Sequence, residues 1–225
     1  MERIWIGGIN PKVKVEVEAE VNSFSTLALA STFILCEERL MAFEKNLEKA
    51  KEKAKKVKLF AHDVHGVLTP NTFLCDIEGR RKYTFWHIDG FGDLSLTANG
   101  IQIAFLDTTS IDEEGLFRAR ELKLDKFYYK IKDKVAKIEE LKKELGISDE
   151  NVGYIGCEVF DIGVMKRVGF AVATADAIDE VKEMADYITT APGGRGPIRE
   201  VCEFILRSMG KWEEWVEKVT KMGYK

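Results

Sequence analysis

Residues 12–21, Lys-Val-Lys-Val-Glu-Val-Glu-Ala-Glu-Val, alternate polar and apolar with a period of two. That period predicts a half-buried strand with one wet face. The repeat then lengthens. Phe33, Cys36, Leu40, Phe43, Leu47, Ala50, Ala54 and Val57 recur at alternating spacings of three and four. This predicts a long helix, capped at Ser23 or Ser25, with a narrow heptad-like stripe. Such a stripe packs on its own domain or forms an oligomer seam, and the spacing leaves both open. Glu44, Glu48 and Glu52 lie among lysines in i,i+4 relation, which marks a solvated face. Residues 1–57 therefore read as an N-terminal strand plus long helix, an assembly or partner module.

From residue 57 the pattern becomes strand and helix in alternation. A first strand is expected at 57–63, followed by a hairpin whose arms, 72–77 and 82–86, flank Glu78-Gly79-Arg80. A helix over 90–98 stops at Asn99-Gly100, and an apolar strand follows at 101–106. Helix 112–122, strand 126–130, helix 133–145 and strand 152–156 continue the alternation. Helix 162–168, strand 169–173, helix 177–185, strand 187–190, helix 198–209 and an amphipathic segment at 212–222 follow. This order predicts an α/β domain over 58–225, a Rossmann-like doubly wound, mostly parallel sheet with a β-hairpin flap.

Composition narrows the function classes. The 225 residues carry a net charge of -4, so nothing draws the chain to nucleic acid or an anionic membrane. The four cysteines include no CxxC pair, which argues against a zinc ribbon or a disulfide framework. Reduced thiols, no secretory leader, and no apolar stretch long enough to span a bilayer give a cytoplasmic expectation.

In open α/β sheets ligands bind beyond the carboxyl ends of the strands. Three such ends carry reactive groups: Asp63, Asp107-Thr108, and Gly156-Cys157-Glu158-Val159-Phe160-Asp161. Lys134 lies just inside a helix. A carboxylate nucleophile, a hydroxyl, an ammonium and further carboxylates suit phosphoryl transfer. Asp can attack phosphorus, Lys can neutralise the phosphate oxygens, and a hard cation can complete the neutralisation. His62 falls on the opposite face of its strand from Asp63 and reads as structural.

Asp63-Val64-His65-Gly66-Val67-Leu68-Thr69 resembles the first motif, Asp-x-Asp-Gly-Val-Leu-Thr, of the haloacid dehalogenase (HAD) superfamily, in its capless sugar-acid phosphatase branch. The run Gly156 to Asp161 resembles the fourth motif, Gly-Asp-Asp-x-x-Asp. Asp89-Gly90-Phe91-Gly92 and Gly193-Gly194-Arg195-Gly196 are similar to two further signatures of that branch. The resemblance implies a HAD-like fold and a magnesium-dependent phosphomonoesterase. Asp63 would be the nucleophile, His65 the acid/base position and Lys134 the phosphate-neutralising lysine. Thr108, Asp89 and Arg195 would meet substrate, and Asp63, His65 (through its carbonyl), Glu158 and Asp161 the metal. It also implies a homo-oligomer, a tetramer, with the hairpin between subunits.

The departures from the motifs fall on catalytic positions. His65 replaces a carboxylate and retains proton-transfer chemistry near neutrality. Asp107 stands where a hydroxyl is usual. Two unit charges ~4 Å apart cost on the order of 4 kcal/mol at an effective dielectric near 20, against ~1 kcal/mol for one lost hydrogen bond. Cys157 replaces a metal-binding Asp, which weakens the case for magnesium, and the softer ligands open one for a zinc or iron site of His65, Cys157, Asp63 and Asp107. Two function classes follow. One is a pseudophosphatase that binds a ligand or partner and assembles. The other is an active, diverged phosphomonoesterase that uses Asp63 on a small phosphorylated metabolite.

Overall fold

A computed structural model describes residues 4–5, 16–17, 41, 44–108, 113–124 and 126–222. The chain divides into two compact units, Met1–Asn46 and Leu47–Lys225. In the first, β1 (Ile4–Trp5) pairs antiparallel with β2 (Glu16–Val17). The rest of the expected strand at 12–21, and Phe33, Cys36, Leu40 and Phe43 of the stripe, lie outside the described residues. Helix α1 (44–54) follows. Its later positions Ala50 and Ala54, with Val57, are buried in the core of the second unit. The division thus falls ahead of residue 57, because the helix end packs where its apolar positions find partners.

Six parallel strands form the sheet of the second unit: β3 (Leu59–Asp63), β6 (Gln102–Leu106), β7 (Phe127–Tyr128), β8 (Val152–Gly156), β9 (Phe170–Ala173) and β10 (Tyr187–Ile188). Their order is β10-β9-β8-β3-β6-β7, and each neighbouring pair is parallel. The chain works outward from β3 to β7, then returns to β8 and works outward the other way. The crevice at this reversal lies at the carboxyl ends of β3 and β8. Both strands are buried along their whole length, as expected where helices cover both faces of a sheet. Among the described residues strands β7 and β10 pair on one side only, and each is shorter than its apolar run suggests.

The helices are α2 (His87–Ala98), α3 (Glu113–Glu121), α4 (Lys134–Leu145), α5 (Ile162–Met165), α6 (Asp179–Met184), α7 (Pro197–Ser208) and α8 (Trp212–Met222). Helix α2 packs on α7 and α7 on α8, while α5 packs between α4 and α6. Adjacent residues of β3 distinguish the two layers: His62 meets Asp93 of α2, and Asp63 meets Lys134 of α4. Helix α2 begins earlier than its sequence pattern suggests, and His87 and Phe91 make an edge contact across its first turn. Helix α4 starts where Asp133 accepts from the Ala136 N–H at 2.9 Å and ends at Gly146 with φ 62°, a left-handed cap. The hairpin is short, β4 (Leu74–Cys75) with β5 (Arg81–Lys82), and both arms are exposed. Among the described residues no helix is long and apolar enough to cross a membrane.

Candidate active site at the strand ends

Asp63 is the last residue of β3. The chain turns immediately after it: the Gly66 N–H donates to the Thr69 carbonyl at 2.9 Å, and the Leu68 N–H to that of Val64 at 2.9 Å. Gly66 has φ 84°, which favours glycine. In register, Asp63 stands opposite Leu106, so Asp107 follows at the end of β6, and Cys157 follows Gly156 at the end of β8. The parallel register alone brings these three strand ends to one edge.

Lys134, the first residue of α4, joins them from the side. Its Nζ donates to Asp63 Oδ1 and Asp161 Oδ1, both at 2.8 Å, and lies 3.2 Å from the Tyr154 hydroxyl. All four side chains are buried. Tyr154 Oη donates to Asp161 Oδ1 at 2.5 Å. Asp161 Oδ2 accepts from the Cys157 N–H at 2.8 Å and the Glu158 N–H at 3.1 Å. Asp161 therefore has its four acceptor positions filled, two on each oxygen.

Burial, then the negative charge of Asp161, raises the Asp63 carboxyl to about 7, against the pull of Lys134 and the Val64 N–H. For Lys134 burial disfavours the charge, but Asp63 and Asp161 outweigh it and hold its pKa above the ordinary lysine value. Burial and the same two carboxylates push Tyr154 and Cys157 well up. The cluster is thus a buried lysine shared by two carboxylates, with a phenol closing the second one.

His65 lies in the turn, two residues beyond Asp63. Its Nδ1 is 3.2 Å from Thr69 Oγ1, and its ring lies 4.2 Å from that of Tyr83. The Cys157 Sγ is 3.6 Å from the His65 carbonyl oxygen. One ligand atom each from Asp63, Cys157 and Asp161 falls within 4.8 Å of the others, so the place can hold a cation. The donors fit magnesium poorly, because a thiol stands where an all-oxygen shell needs an oxygen.

The remaining expected site residues sit differently. Asp107 is buried at the end of β6, and Thr108 beside it is exposed. Glu158 is exposed and its Oε1 accepts from the next N–H, that of Val159, at 2.7 Å, so it caps its own short turn. Asp89 is buried between α2 and α7, where its Oδ1 accepts from the Arg199 N–H at 2.8 Å and caps α7. Arg195 is exposed, on a loop that docks on the turn after Asp63. There the Gly194 N–H donates to the Val67 carbonyl at 2.8 Å, and a Cβ on Gly193 would stand 2.1 Å from the Gly66 oxygen. His62 is fully buried, 3.3 Å from Asp93 Oδ1 and packed on Phe105. A recess of about 420 Å³ at the β7 edge, with Tyr128, Tyr129, Lys130 and Lys137 in its wall, includes none of the cluster.

Tyr154 is the member that sequence reasoning missed. Its signal was present: a hydroxyl in an apolar, fully buried strand needs a partner. Which partner it takes depends on where the loop after β8 folds back.

A family model for haloacid dehalogenase-like hydrolases matches residues 114–193. The 3-deoxy-D-manno-octulosonate 8-phosphate phosphatase KdsC of Escherichia coli strain K12 is 33% identical over 164 residues, 72% of this chain and 86% of that protein. A crystal structure of the Moraxella catarrhalis 3-deoxy-D-manno-octulosonate 8-phosphate phosphatase, in complex with a magnesium ion, a phosphate ion and a KDO molecule, superimposes with a TM-score of 0.72. Its sequence identity is 32%, over 75% of this chain and 97% of that one. The cobalt-bound deoxy-D-mannose-octulosonate 8-phosphate phosphatase of Haemophilus influenzae gives a TM-score of 0.70 at 29% identity, again over 75% and 97%. Sequence and fold agree across most of the second unit, and this chain belongs to the haloacid dehalogenase-like phosphatase family, as a relative of the 3-deoxy-D-manno-octulosonate 8-phosphate phosphatases.

Proposed function

We propose that the chain is a diverged, metal-dependent phosphomonoesterase that uses Asp63 on a small phosphorylated metabolite of the sugar-acid kind. The observation that carries this reading is the intact Asp63–Lys134–Asp161 cluster, with Nζ 2.8 Å from both carboxylates. Asp63 attacks phosphorus and forms an aspartyl phosphate while the ester oxygen leaves. His65, oriented by Thr69 and Tyr83, gives the leaving oxygen its proton, then takes one from the water that hydrolyses the intermediate. Lys134 neutralises the non-bridging oxygens as a fixed charge, and Asp161 and Tyr154 hold it in place. Asp63, the His65 carbonyl and Cys157 are the donors for a divalent cation, which supplies further charge neutralisation when bound. The relatives' crystallised metals and the phosphorylated sugar in their names support both parts.

A second reading rests on Asp107. A buried carboxylate at the end of β6 replaces a phosphate-binding hydroxyl and repels a dianion. On that reading the chain is a pseudophosphatase that binds a ligand or partner and assembles through its exposed hairpin, where Leu74 and Ile77 face solvent. A phosphate-release screen over phosphorylated sugar acids with Mg²⁺, Mn²⁺, Co²⁺ and Zn²⁺ separates the two. The enzyme reading expects turnover that Asp63→Asn abolishes. Absence of turnover with every metal, or activity surviving D63N, refutes it.

A further inference from the structure

The donors at the crevice differ in kind from those of a magnesium site. We infer that this chain binds a thiophilic divalent cation, of the zinc or cobalt(II) class, in preference to magnesium, through Cys157 Sγ, an Asp63 oxygen and the His65 main-chain carbonyl. The inference deepens the phosphatase reading by naming its metal class, yet it does not require turnover.

Three observations support it. The first is distance. Cys157 Sγ and the His65 oxygen are 3.6 Å apart. A tetrahedral ion with a metal–sulfur bond of about 2.3 Å and a metal–oxygen bond of about 2.1 Å separates those ligands by ~3.6 Å. An octahedral magnesium with bonds of about 2.1 Å gathers oxygens ~3.0 Å apart, a shell in which a sulfur has no natural place. The contact also serves as a thiol-to-carbonyl hydrogen bond, so an incoming ion displaces one proton from sulfur to solvent and no atom has to move far.

The second is ligand count. Asp161 already accepts from Lys134, Tyr154 and two main-chain N–H groups, so an ion would have to displace one of these to use it. Asp63 accepts from Lys134 through Oδ1 and from the Val64 N–H, two partners against the four of Asp161. Three protein donors remain, with a fourth tetrahedral position open to water or a phosphate oxygen, the arrangement of catalytic rather than structural zinc sites.

The third is the closeness of the turn to the sulfur. A Cβ on residue 66 would stand 2.5 Å from Cys157 Sγ, so glycine there lets the turn that carries the His65 carbonyl pack against the thiol. Soft ligands select zinc and cobalt over magnesium, which takes carboxylate, carbonyl and water oxygens.

The test uses the full chain, stripped with a chelator and titrated with Co²⁺. A thiolate–cobalt bond gives a near-ultraviolet charge-transfer band. The wild type is expected to show it at one equivalent, the C36S/C75S variant to keep it, and C157S to lose it. Calorimetry is expected to find Zn²⁺ bound at least about 100-fold more tightly than Mg²⁺. C157D is expected to narrow that gap by weakening Zn²⁺ and strengthening Mg²⁺. No band in the wild type, a band retained by C157S, or Mg²⁺ binding as tight as Zn²⁺ overturns the inference. Phosphate release measured on the same preparations separates the two claims. A band without turnover refutes the phosphatase reading and leaves the metal site. Magnesium-driven turnover without a band does the reverse.

Discussion

Replacing Asp89 with Asn removes one buried charge and nearly keeps its shape. Asp89 Oδ1 accepts from the Arg199 N–H at 2.8 Å, while Oδ2 accepts no hydrogen bond. Burial raises this carboxyl to about 7, in spite of the Arg199 N–H and with help from the nearby charge of Asp93. An unfolded Asp titrates near 3.8. Between these values the folded chain keeps a proton that the unfolded chain has released, so stability is highest below about pH 4 and falls as pH rises toward 7. Each proton contributes a slope of ~1.4 kcal/mol per pH unit. Over about three units that is up to ~4 kcal/mol, an upper limit because partial opening admits water. Asn keeps an oxygen for Arg199 and cannot ionise. Asp63, also raised to about 7, supplies a second proton over the same window. The wild type should therefore lose stability more steeply than D89N from pH 4.5 to 7, the two slopes differing by about one proton. Urea unfolding at half-unit steps of pH measures this. Above pH 7.5 D89N should be the more stable protein, and near pH 4 the two should converge. Parallel curves for the two proteins would show that Asp89 does not hold the proton, and the electrostatic reasoning fails with it.

Two further substitutions probe the site's construction. Lys134→Met leaves Asp63 and Asp161 buried side by side without their ammonium, and should cost ~3–5 kcal/mol at pH 8. Much of that should return at pH 5, where a carboxylate takes up a proton, and an unchanged Tm at pH 8 would refute the shared-lysine picture. Gly193→Ala puts a Cβ 2.1 Å from the Gly66 carbonyl oxygen, a contact that only backbone movement relieves. It should lower the urea midpoint by the equivalent of ~1–3 kcal/mol, and a wild-type midpoint would show that the loop does not dock on the turn.

The strand and helix alternation was legible because it depends on local periodicity. Strand β8 and helix α8 carry the bounds their pattern predicts. Helix α5 and strands β7 and β10 are shorter than expected, because pairing and packing partners, rather than propensity, decide where an element ends. Asp63, Lys134 and Cys157 were legible as candidates because each follows or opens an element in a motif. Their distances were not. Lys134 is 71 residues from Asp63 along the chain, and only the packing of α4 against the end of β3 brings Nζ to 2.8 Å.

By itself, then, the sequence determined the order of elements, the two faces of β3, and which residue types stand at the strand ends. The tertiary structure decided their surroundings. It saturated Asp161 through Tyr154, Lys134 and two N–H groups, which no spacing encodes. It set Asp89 against the Arg199 N–H in the first turn of α7, and left Glu158 exposed on its own turn. It set the Cys157 thiol against the His65 carbonyl. Periodicity and motif are properties of neighbours along the chain. Hydrogen bonds, burial and charge coupling are properties of neighbours in space, and at this site those come from β3, α4 and the loop after β8.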